Sequence, residues 1–234
     1  MSNILYFETL DSTQTYLKKH FSQLDDKTVV IADEQTAGRG RFDRKWISQP
    51  GGLYFSILLK PNKTDFLANL TQLMALCICQ AVEKYGINPN LKWPNDVQVN
   101  GKKLCGILSE TIFEHDRIAC LVLGIGINVE QKDLSLVGQP AISLRELGVK
   151  LAKQDFLQEV LALFFQSYSA VLNEGFGAIR SAYLERFPFI GKPIVVKNGN
   201  AALTGIARDL SPRGTLMLQM PNETREILIG DLLV

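Results

Sequence analysis

A short basic segment, residues 38–46, has the composition of a loop that binds a phosphate group. Four of its side chains are cationic within seven residues: Arg39, Arg41, Arg44 and Lys45. Gly38 and Gly40 lack a Cβ, so the main chain between the cations can approach a ligand closely. Because basic loops are common on solvated surfaces, composition alone leaves phosphate binding and a plain surface loop as alternatives.

The phosphate-binding patterns of the common nucleotide folds do not occur in this chain. A P-loop requires G-x-x-x-x-G-K-[ST], and the sequence contains no such segment. Gly124-Ile125-Gly126 lacks the third glycine of a dinucleotide-binding fingerprint. A phosphate site in the basic segment would therefore belong to a different kind of fold.

A second polar cluster, residues 92–96, reads Lys-Trp-Pro-Asn-Asp and is followed by Lys103. A lysine, an amide and a carboxylate beside a rigid proline would suit a ligand site. The same residues are also ordinary turn chemistry, because Asn and Asp side chains bond to neighbouring backbone groups. Spacing alone does not separate these two interpretations.

The cysteine and histidine content argues against several kinds of site. The four cysteines all lie inside apolar runs: Cys77, Cys79, Cys105 and Cys120. Free cysteine in such runs behaves as a small hydrophobic residue, so we predict buried thiols without a disulfide framework. With only His20 and His115 in the chain, a zinc site and a Ser-His-Asp triad are both disfavoured, and no protein-held metal is expected.

Composition and charge indicate a globular protein of ordinary size. The chain has 234 residues, 46% of them hydrophobic and 21% charged, so it can bury a substantial core. The formal net charge of +1 provides no long-range field for nucleic acid or anionic lipid. Because no signal peptide and no stretch of about 20 apolar residues is present, we expect a cytoplasmic protein without membrane contacts.

The first half of the chain is predicted to form a mixed sheet with helices. Asp11-Ser12-Thr13 supplies N-cap chemistry for a helix whose apolar spacing continues to Leu24. Further strands are predicted over residues 28–32, 53–59, 97–99, 104–108 and 117–129, and a helix over residues 66–85 that stops at Gly86. Asn100-Gly101 predicts a hairpin, because both central residues of a type I′ turn have positive φ.

The second half of the chain is predicted to form two helices and then a small β-barrel. Residues 153–174 and 176–187 have the apolar spacing of helices that pack on a core. After residue 188 the pattern changes to short strands around residues 194–196, 203–207, 216–220 and 227–229. Turn residues at 198–200 and 212–214 separate these strands. The barrel would contain about 45 residues.

In several places, and in the right order, the sequence resembles the biotin protein ligases, that is, biotin–[biotin carboxyl carrier protein] ligases. Five motifs support the resemblance: Asp11-Ser12-Thr13, Gly38-Arg39-Gly40-Arg41 with Trp46, Lys92-Trp93-Pro94-Asn95-Asp96, Lys103-Leu104-Cys105-Gly106-Ile107-Leu108, and Gly124-Ile125-Gly126-Ile127-Asn128. Each motif is weak alone, but five in sequence over residues 11–128 are specific. The C-terminal barrel matches the family only in size and position.

The resemblance implies an α+β fold, with a mixed β-sheet and helices related to the catalytic domain of class II aminoacyl-tRNA synthetases and lipoate ligases. It also implies a small C-terminal SH3-like β-barrel, giving domains over residues 1–188 and 189–234. Because the chain begins almost at Asp11, it leaves no room for the N-terminal DNA-binding domain that some members use as a repressor. We expect a monofunctional ligase without specific DNA binding.

The implied reaction has two steps. Biotin and ATP first give biotinoyl-5′-AMP and pyrophosphate, and the adenylate then acylates one lysine of a biotin carboxyl carrier protein domain of a carboxylase. ATP and biotin are substrates, and Mg²⁺ holds the pyrophosphate leaving group. The sequence leaves open the identity of the carboxylase, the order of substrate binding, and whether the protein is a monomer or a homodimer.

The resemblance also implies roles for individual residues of this sequence. The implied biotin-binding residues are Ser12, Thr13, Gln14, Gln35, Arg39, Gly40, Arg41 and Lys103. The implied nucleotide-binding residues are Gly38, Arg39, Arg41, Trp46, Lys92, Asn95 and Asn128. The implied catalytic residues are Lys103, Arg39 and Asp96. Asp96 would orient or deprotonate the acceptor amine, with a purely structural turn role as an equal alternative.

Two departures from the family pattern bear on these roles. Gln14 stands where members often have Asn, and Phe42 and Asp43 stand where some have arginine and glycine. The second departure lowers the positive charge of the loop and affects how well ordered the loop is.

Two other functions are kept as alternatives: a lipoate or octanoyl ligase on the same fold, and a non-catalytic RNA-binding module that uses the basic segment. The near-zero net charge argues against RNA binding.

Overall fold

The computed structural model describes residues 3–199 and 201–233. Backbone contacts divide the chain into two compact units, each built from two segments. The first unit comprises Met1–Thr64 and Gln98–Glu159, and the second comprises Asp65–Val97 and Val160–Val234. The predicted boundary after residue 188 falls inside the second unit, and the division into domains at that residue stays a prediction.

Strands and helices alternate through the described residues. The strands are β1 (Ile4–Leu10), β2 (Val29–Gln35), β3 (Leu53–Leu59), β4 (Asn90–Lys92), β5 (Asp96–Val99), β6 (Lys102–Glu114), β7 (Arg117–Ile127), β8 (Pro193–Asn198), β9 (Ala201–Leu210), β10 (Leu216–Gln219), β11 (Thr224–Ile227) and β12 (Asp231–Leu233). The α-helices are α1 (Thr13–His20), α2 (Leu67–Glu83), α3 (Lys153–Glu174) and α4 (Arg180–Glu185). In this part of the chain no helix is both long and apolar enough to cross a bilayer.

The first unit is built on a mixed sheet, as predicted. Its strands lie in the order β1-β2-β3-β7-β6, with β1 parallel to β2 and the other pairs antiparallel. All seven residues of β3 are buried, and the structure confirms its predicted bounds. The sequence analysis does not predict β1. This edge strand starts with four consecutive apolar residues, so it lacks the alternation that marks a half-buried strand.

Helix α1 is anchored at its first turn, where the sequence places an N-cap. Ser12 has extended backbone angles, and its side chain accepts a hydrogen bond from the Thr15 backbone N–H at 3.5 Å. Leu17 is fully buried with Val30 and Leu58, and burying a leucine contributes about 2 kcal/mol. The helix therefore holds its N-terminal residues against the sheet. It ends at His20, four residues before the predicted Leu24.

The hairpin between β5 and β6 confirms the turn signal in the sequence. Asn100 has a φ of 52° and Gly101 a φ of 74°, so both central residues have positive φ, as a type I′ turn requires. Strands β6 and β7 then pair over most of their length, from Cys105 opposite Ile127 to Glu114 opposite Arg117. Their long ladder forms the backbone platform beneath the candidate site.

The four cysteines are free and buried, as predicted. Burial in apolar surroundings disfavours the thiolate, and it raises the pKa of Cys77 to about 12 and that of Cys120 to about 11. These thiols therefore stay protonated at neutral pH. Their role is core packing.

In the second unit, only part of the predicted helix over residues 176–187 is an α-helix. The structure has a 3₁₀ turn over Gly175–Ala178 followed by the short helix α4. Gly175 ends α3 with a φ of 64°, and Ile179 has a φ of −122° that no helix allows. The chain is thus interrupted at Ile179, where apolar spacing predicts one continuous helix.

Helix α2 ends at Glu83, two residues before the predicted end at residue 85. Gly86, three residues further on, has a φ of 75°, as expected for a glycine that follows the end of a helix.

The C-terminal residues form a second, antiparallel sheet in the order β11-β10-β9-β8-β12. The predicted strand over residues 227–229 is mostly wrong, because β11 ends at Ile227 and Leu228 is 71% exposed. The sequence analysis does not predict β12. Asn200, in the predicted turn after β8, lies outside the described residues. Closure of this sheet into an SH3-like barrel stays a prediction.

Candidate active site

The first unit gathers several polar side chains near the start of α1. The Thr13 backbone N–H donates to Gln35 Oε1 at 2.9 Å, and the Thr13 hydroxyl lies 2.7 Å from the Ser56 hydroxyl. Gln35 Nε2 donates to Ser48 Oγ at 2.8 Å. Two residues that the sequence analysis assigns to biotin, Thr13 and Gln35, are therefore in direct contact. Ser12 lies beside them at the N-cap.

Three glycines form a flat surface on the neighbouring strands, which we call the glycine floor: Gly106, Gly124 and Gly126. Gly106 on β6 lies opposite Gly126 on β7. A Cβ added at Gly126 would lie 2.4 Å from Trp46 Cε2, and one at Gly106 would lie 2.8 Å from Trp46 Cζ3. Because Cβ atoms do not approach other atoms this closely, these strand positions require glycine.

Trp46 lies flat on the glycine floor. Its indole N–H is buried without a hydrogen-bond partner among the described residues. The Lys103 ammonium nitrogen lies 5.3 Å from the centre of the Trp46 ring, within the range of a cation–π contact. The Trp46 ring thus contacts both the Lys103 ammonium group and the glycine floor. The resemblance assigns Trp46 to the nucleotide, and in the structure its ring packs closely against the backbone of the floor.

Lys103 is held by its main chain from two directions. Its backbone N–H donates to the Pro140 carbonyl at 2.9 Å, and its carbonyl accepts from the Ile142 N–H at 3.0 Å. The same carbonyl accepts from Asn128 Nδ2 at 3.2 Å. These hydrogen bonds fix the backbone of Lys103, from which its ammonium group extends.

Asn128 belongs to a buried network that the sequence analysis does not predict. Gln131 Nε2 donates to the Tyr54 hydroxyl at 2.9 Å and approaches Asn128 Oδ1 at 3.4 Å. Burial raises the pKa of Tyr54 well above its ordinary value, so the phenol keeps its proton and can donate to the Gln49 carbonyl. Asn128 therefore has a structural role beside its predicted contact with nucleotide.

The basic loop is folded as a narrow turn. Trp46 N donates to the Gly38 carbonyl at 2.9 Å, and Gly40 N donates to the Arg44 carbonyl at 2.7 Å. Phe42, at the tip, has a φ of 54°, which is rare for a bulky residue and costs roughly 1 kcal/mol or more. The Arg41 guanidinium lies 4.9 Å from the centre of the Phe42 ring. Main-chain hydrogen bonds and the contact between Arg41 and Phe42 thus define the shape of the loop.

Arg39 is held by an acidic residue that the sequence analysis does not predict. Its guanidinium lies 3.2 Å from both carboxylate oxygens of Glu110 on β6. Lys18 on α1 contacts the same carboxylate at 2.8 Å. The cluster retains one net positive charge beside the glycine floor. Glu110 follows Gly106 by four residues on one strand, but only the folded register brings it to Arg39.

The predicted residues Lys92, Asn95 and Asp96 belong to the second unit, whereas Lys103 belongs to the first. Asp96 opens β5 and is half-buried. Burial raises the pKa of Tyr183, and the negative charge of Asp96 adds to this effect. Trp93 is 2% exposed and donates to the Gly214 carbonyl at 3.0 Å, so it packs the core of the second unit. The roles of Lys92, Asn95 and Asp96 in a site with Lys103 stay predictions.

Comparison with known proteins places the chain in one family. The family described as "Biotin/lipoate A/B protein ligase family" matches residues 6–128, which is more than half of the chain. The chain belongs to the biotin/lipoate A/B protein ligase family. All the glycines of the floor lie within the matched residues.

Relatives within the biotin/lipoate A/B protein ligase family match most of this chain. The "Bifunctional ligase/repressor BirA" of Bacillus subtilis is 33% identical over 238 residues, covering 98% of this chain and 73% of the relative. The "Biotin--[acetyl-CoA-carboxylase] ligase" of Paracoccus denitrificans is 33% identical over 225 residues, covering 90% of this chain and 92% of the relative.

Solved structures of the biotin/lipoate A/B protein ligase family share this fold. The biotin protein ligase of Aquifex aeolicus in complex with biotin and ATP has a TM-score of 0.88 and 32% identity, covering 100% of this chain and 98% of that one. The Leishmania major biotin protein ligase in complex with biotinyl-5-AMP, at 21% identity and a TM-score of 0.66, covers 97% of this chain and 99% of its own; it supports the fold alone.

Gly126→Ala should lower the free energy of unfolding by about 1–3 kcal/mol, because the added methyl group would overlap the Trp46 ring. Chemical denaturation followed by circular dichroism would measure this. Gly177→Ala is the matched control, since a Cβ there meets nothing within 4 Å. Equal stability of the two variants would show that Trp46 does not lie against the floor in solution.

Proposed function

We propose that this protein activates biotin with ATP to biotinoyl-5′-AMP and transfers the biotinyl group to a lysine of a carrier domain. The observation that supports this most is the shape and polarity of the site. The first unit contains the polar contacts of Thr13 and Gln35, and it also contains the Lys103 ammonium group, which meets the glycine floor at Gly106 and the Trp46 ring that covers it. An acid with a polar ring at one end and a carboxylate at the other fits this arrangement.

Lys103 and the basic loop supply the electrostatics of the first step. Adenylation brings the biotin carboxylate against the α-phosphate of ATP, so negative charges must be neutralised before the new bond forms. Lys103 lies at the floor, and Arg39 is paired with Glu110, four residues after Gly106 on β6, which partly balances its charge. In our proposal Lys103 contacts the carboxylate and the α-phosphate, and Arg39 and Arg41 hold biotin and then the adenylate.

The polar end of the site suits the ureido ring of biotin. This ring carries two N–H donors and one carbonyl acceptor, and burying them requires complementary groups. Thr13 and Ser12 are each 3% exposed, and Gln35 is already oriented by two hydrogen bonds. Backbone groups around Gly40 complete the proposed biotin site.

The nucleotide is proposed to bind at the basic loop of the first unit, where Gly38 and Trp46 lie, and to contact Asn128 of the same unit. The contacts predicted for Lys92 and Asn95, in the second unit, stay predictions. Among the described residues, no three His, Cys, Asp or Glu side chains converge, so the protein offers no ready magnesium cage. Mg²⁺ in ATP-using sites binds largely to phosphate oxygens, and we therefore treat it as part of the MgATP substrate.

In the second step the amine of the acceptor lysine attacks the acyl carbon of the adenylate. An amide bond forms, the acyl–phosphate bond breaks, and AMP leaves with the electron pair. The amine must first lose a proton, because an unperturbed lysine has a pKa of about 10.4. Asp96 is our candidate for taking or directing that proton.

The partner in this proposal is a biotin carboxyl carrier domain of a carboxylase. The Paracoccus denitrificans relative is named as an acetyl-CoA carboxylase ligase, which supports this class of acceptor. A cytoplasmic location, the lack of specific DNA binding and the choice between monomer and homodimer stay predictions.

The alternative within the family is a lipoate or octanoyl ligase. The polar groups of buried Thr13 and half-buried Gln35 favour a ureido ring, which can exchange hydrogen bonds with them, over a dithiolane or an alkyl chain, which cannot. The test is incubation of the pure protein with MgATP and either biotin or lipoate, followed by mass spectrometry. We expect biotinoyl-5′-AMP, and an absence of any acyl-adenylate would overturn the proposed function. The RNA-binding alternative gains no support from the fold.

Asp96→Asn should leave adenylation intact and slow transfer to the carrier, because an amide keeps the shape of Asp96 but cannot take a proton. Quenched time courses would show adenylate accumulating while carrier biotinylation falls. Raising the pH should restore part of the transfer rate, since more of the acceptor amine is then neutral. Asp116→Asn, in the exposed turn after β6, is the control. A collapse of adenylate formation would instead assign Asp96 to substrate binding.

A further inference from the structure

Glu110 is an acidic residue in contact with Arg39, a cation that we assign to an anionic ligand. The Glu110 carboxylate accepts a hydrogen bond from Lys18 Nζ at 2.8 Å, and each of its two oxygens lies 3.2 Å from Arg39 Nη2. A negative charge at this place weakens the attraction between Arg39 and a carboxylate or phosphate. The charge of Glu110 therefore does not help to bind the ligand, and its contact with Arg39 needs another explanation.

The position of Glu110 on β6 relates it to the glycine floor. Side chains alternate between the two faces of a strand, so Glu110 shares a face of β6 with Gly106, four residues earlier. On that face the Trp46 ring packs against Gly106. Because Arg39 belongs to the basic loop, its contact with Glu110 joins this loop to the strand that carries Lys103. Glu110 is thus a point on the sheet from which the Arg39 side chain can be held.

A second cation holds the Glu110 carboxylate from α1. Lys18 Nζ contacts Glu110 Oε1 at 2.8 Å, which is shorter than either contact with Arg39. Lys18 follows Leu17, whose side chain is fully buried in the core, so the backbone at Lys18 has a fixed position. The carboxylate keeps this charged partner whatever position the Arg39 side chain takes. Glu110 is therefore anchored independently of Arg39.

The contact with Glu110 uses one end of the Arg39 guanidinium. Both hydrogen bonds start from Nη2. A guanidinium carries five N–H donors in one rigid plane, and Nη2 supplies two of them. Fixing Nη2 restricts the orientation of the plane and leaves the three donors on Nε and Nη1 outside this contact. Arg39 can therefore bind Glu110 and an anionic ligand at the same time.

We propose that Glu110 is a positioning residue that orients the Arg39 guanidinium toward the carboxylate of biotin and then the phosphate of the adenylate. The inference rests on the proposed function. An arginine that is already held loses less rotamer freedom when the ligand binds, and this favours binding. The negative charge of Glu110 has the opposite effect, but Arg39 is 40% exposed, so water screens the charge. We therefore expect positioning to be the larger of the two effects.

The test compares the rate at which the parent and Glu110→Gln release biotinoyl-5′-AMP, measured by rapid filtration. The substitution adds one unit of positive charge beside the loop, so an effect of charge alone would slow release. We expect release to become about fivefold faster, near the upper end for loss of a partly exposed ion pair. Glu114→Gln, an exposed residue of the same charge on β6, is the matched control and should change the rate by at most about twofold. Unchanged or slower release from Glu110→Gln would overturn the inference.

A double-mutant cycle with Arg39 separates positioning from a merely structural role of Glu110. In an Arg39→Ala background there is no guanidinium to orient, so adding Glu110→Gln should leave the release rate unchanged or lower it. The same acceleration in both backgrounds would show that Glu110 acts without Arg39 and would overturn the inference. Thermal unfolding of each variant checks that it folds.

Formation of the adenylate by the parent is measured before any variant. If the parent forms no biotinoyl-5′-AMP from biotin and MgATP, the proposed function itself fails. If the parent forms and retains the adenylate and Glu110→Gln retains it equally long, only the role of Glu110 fails.

Discussion

Lys103→Ala is expected to slow biotin adenylation about a hundredfold while slowing the transfer of preformed adenylate far less. The ammonium group matters most while the carboxylate approaches the α-phosphate, and losing one preorganised charge partner in a transition state costs about 3 kcal/mol. The backbone of Lys103 is held by Pro140, Ile142 and Asn128, so truncating the side chain should leave the strand in place. Pyrophosphate release measures the first step, and added biotinoyl-5′-AMP with carrier domain isolates the second.

Lys102→Ala is the matched control for this experiment. Lys102 is the neighbouring residue on β6, carries the same charge, and is exposed. Its loss should change adenylation less than twofold. If Lys103→Ala instead reduced both half-reactions equally, the lysine would hold the adenylate rather than assist its formation, and our assignment of its role would be wrong.

Some elements could be predicted from the sequence because they depend only on neighbouring residues. The Asn100-Gly101 turn needs only two adjacent residues with positive φ, and β3 shows seven consecutive residues that prefer a buried strand. Thr13 and Gln35 were both assigned to biotin through the resemblance to the biotin protein ligases and not through spacing. In the structure these two residues are hydrogen-bonded to each other.

Other features of the site depend on long-range register. Gly106 and Gly126 form the glycine floor only because β6 and β7 pair them across 20 residues of sequence. A glycine within a strand indicates that another group packs closely against the backbone there, but the neighbouring sequence does not show which group it is. Glu110 likewise reaches Arg39 only in the folded sheet. The helix predicted over residues 176–187 is interrupted at Ile179, because apolar spacing carries no information on the backbone angles at that residue.

The basic loop differs from the family pattern at Phe42 and Asp43. Replacing arginine and glycine by Phe42 and Asp43 bears on whether the loop is ordered. In the structure, main-chain hydrogen bonds from Gly40 to Arg44 and from Trp46 to Gly38 close the turn. The Arg41 guanidinium lies 4.9 Å from the centre of the Phe42 ring, so the aromatic residue at the tip of the loop contacts a neighbouring cation.

Arg41→Gly should let the adenylate escape while leaving its formation largely intact. Biotinoyl-5′-AMP is a reactive mixed anhydride, and a closed loop both retains it and keeps other amines away. The substitution removes a cation that faces the anionic ligand, removes the contact with Phe42, and adds backbone freedom of roughly 1 kcal/mol. All three changes favour the open loop, and losing a charge-assisted hydrogen bond of about 1.5–3 kcal/mol corresponds to roughly ten- to hundredfold faster release.

Rapid filtration would measure adenylate dissociation from the Arg41→Gly variant, and mass spectrometry would measure biotinylation of an added protein that has no carrier domain. Arg44→Gly is the matched control, because Arg44 lies over the same ring at 5.6 Å and gains the same flexibility on substitution. We expect Arg44→Gly to retain adenylate much as the parent does. If both variants release it equally fast, general loosening of the loop is responsible. If Arg41→Gly retains adenylate and leaves the added protein unlabelled, this loop does not close over the intermediate.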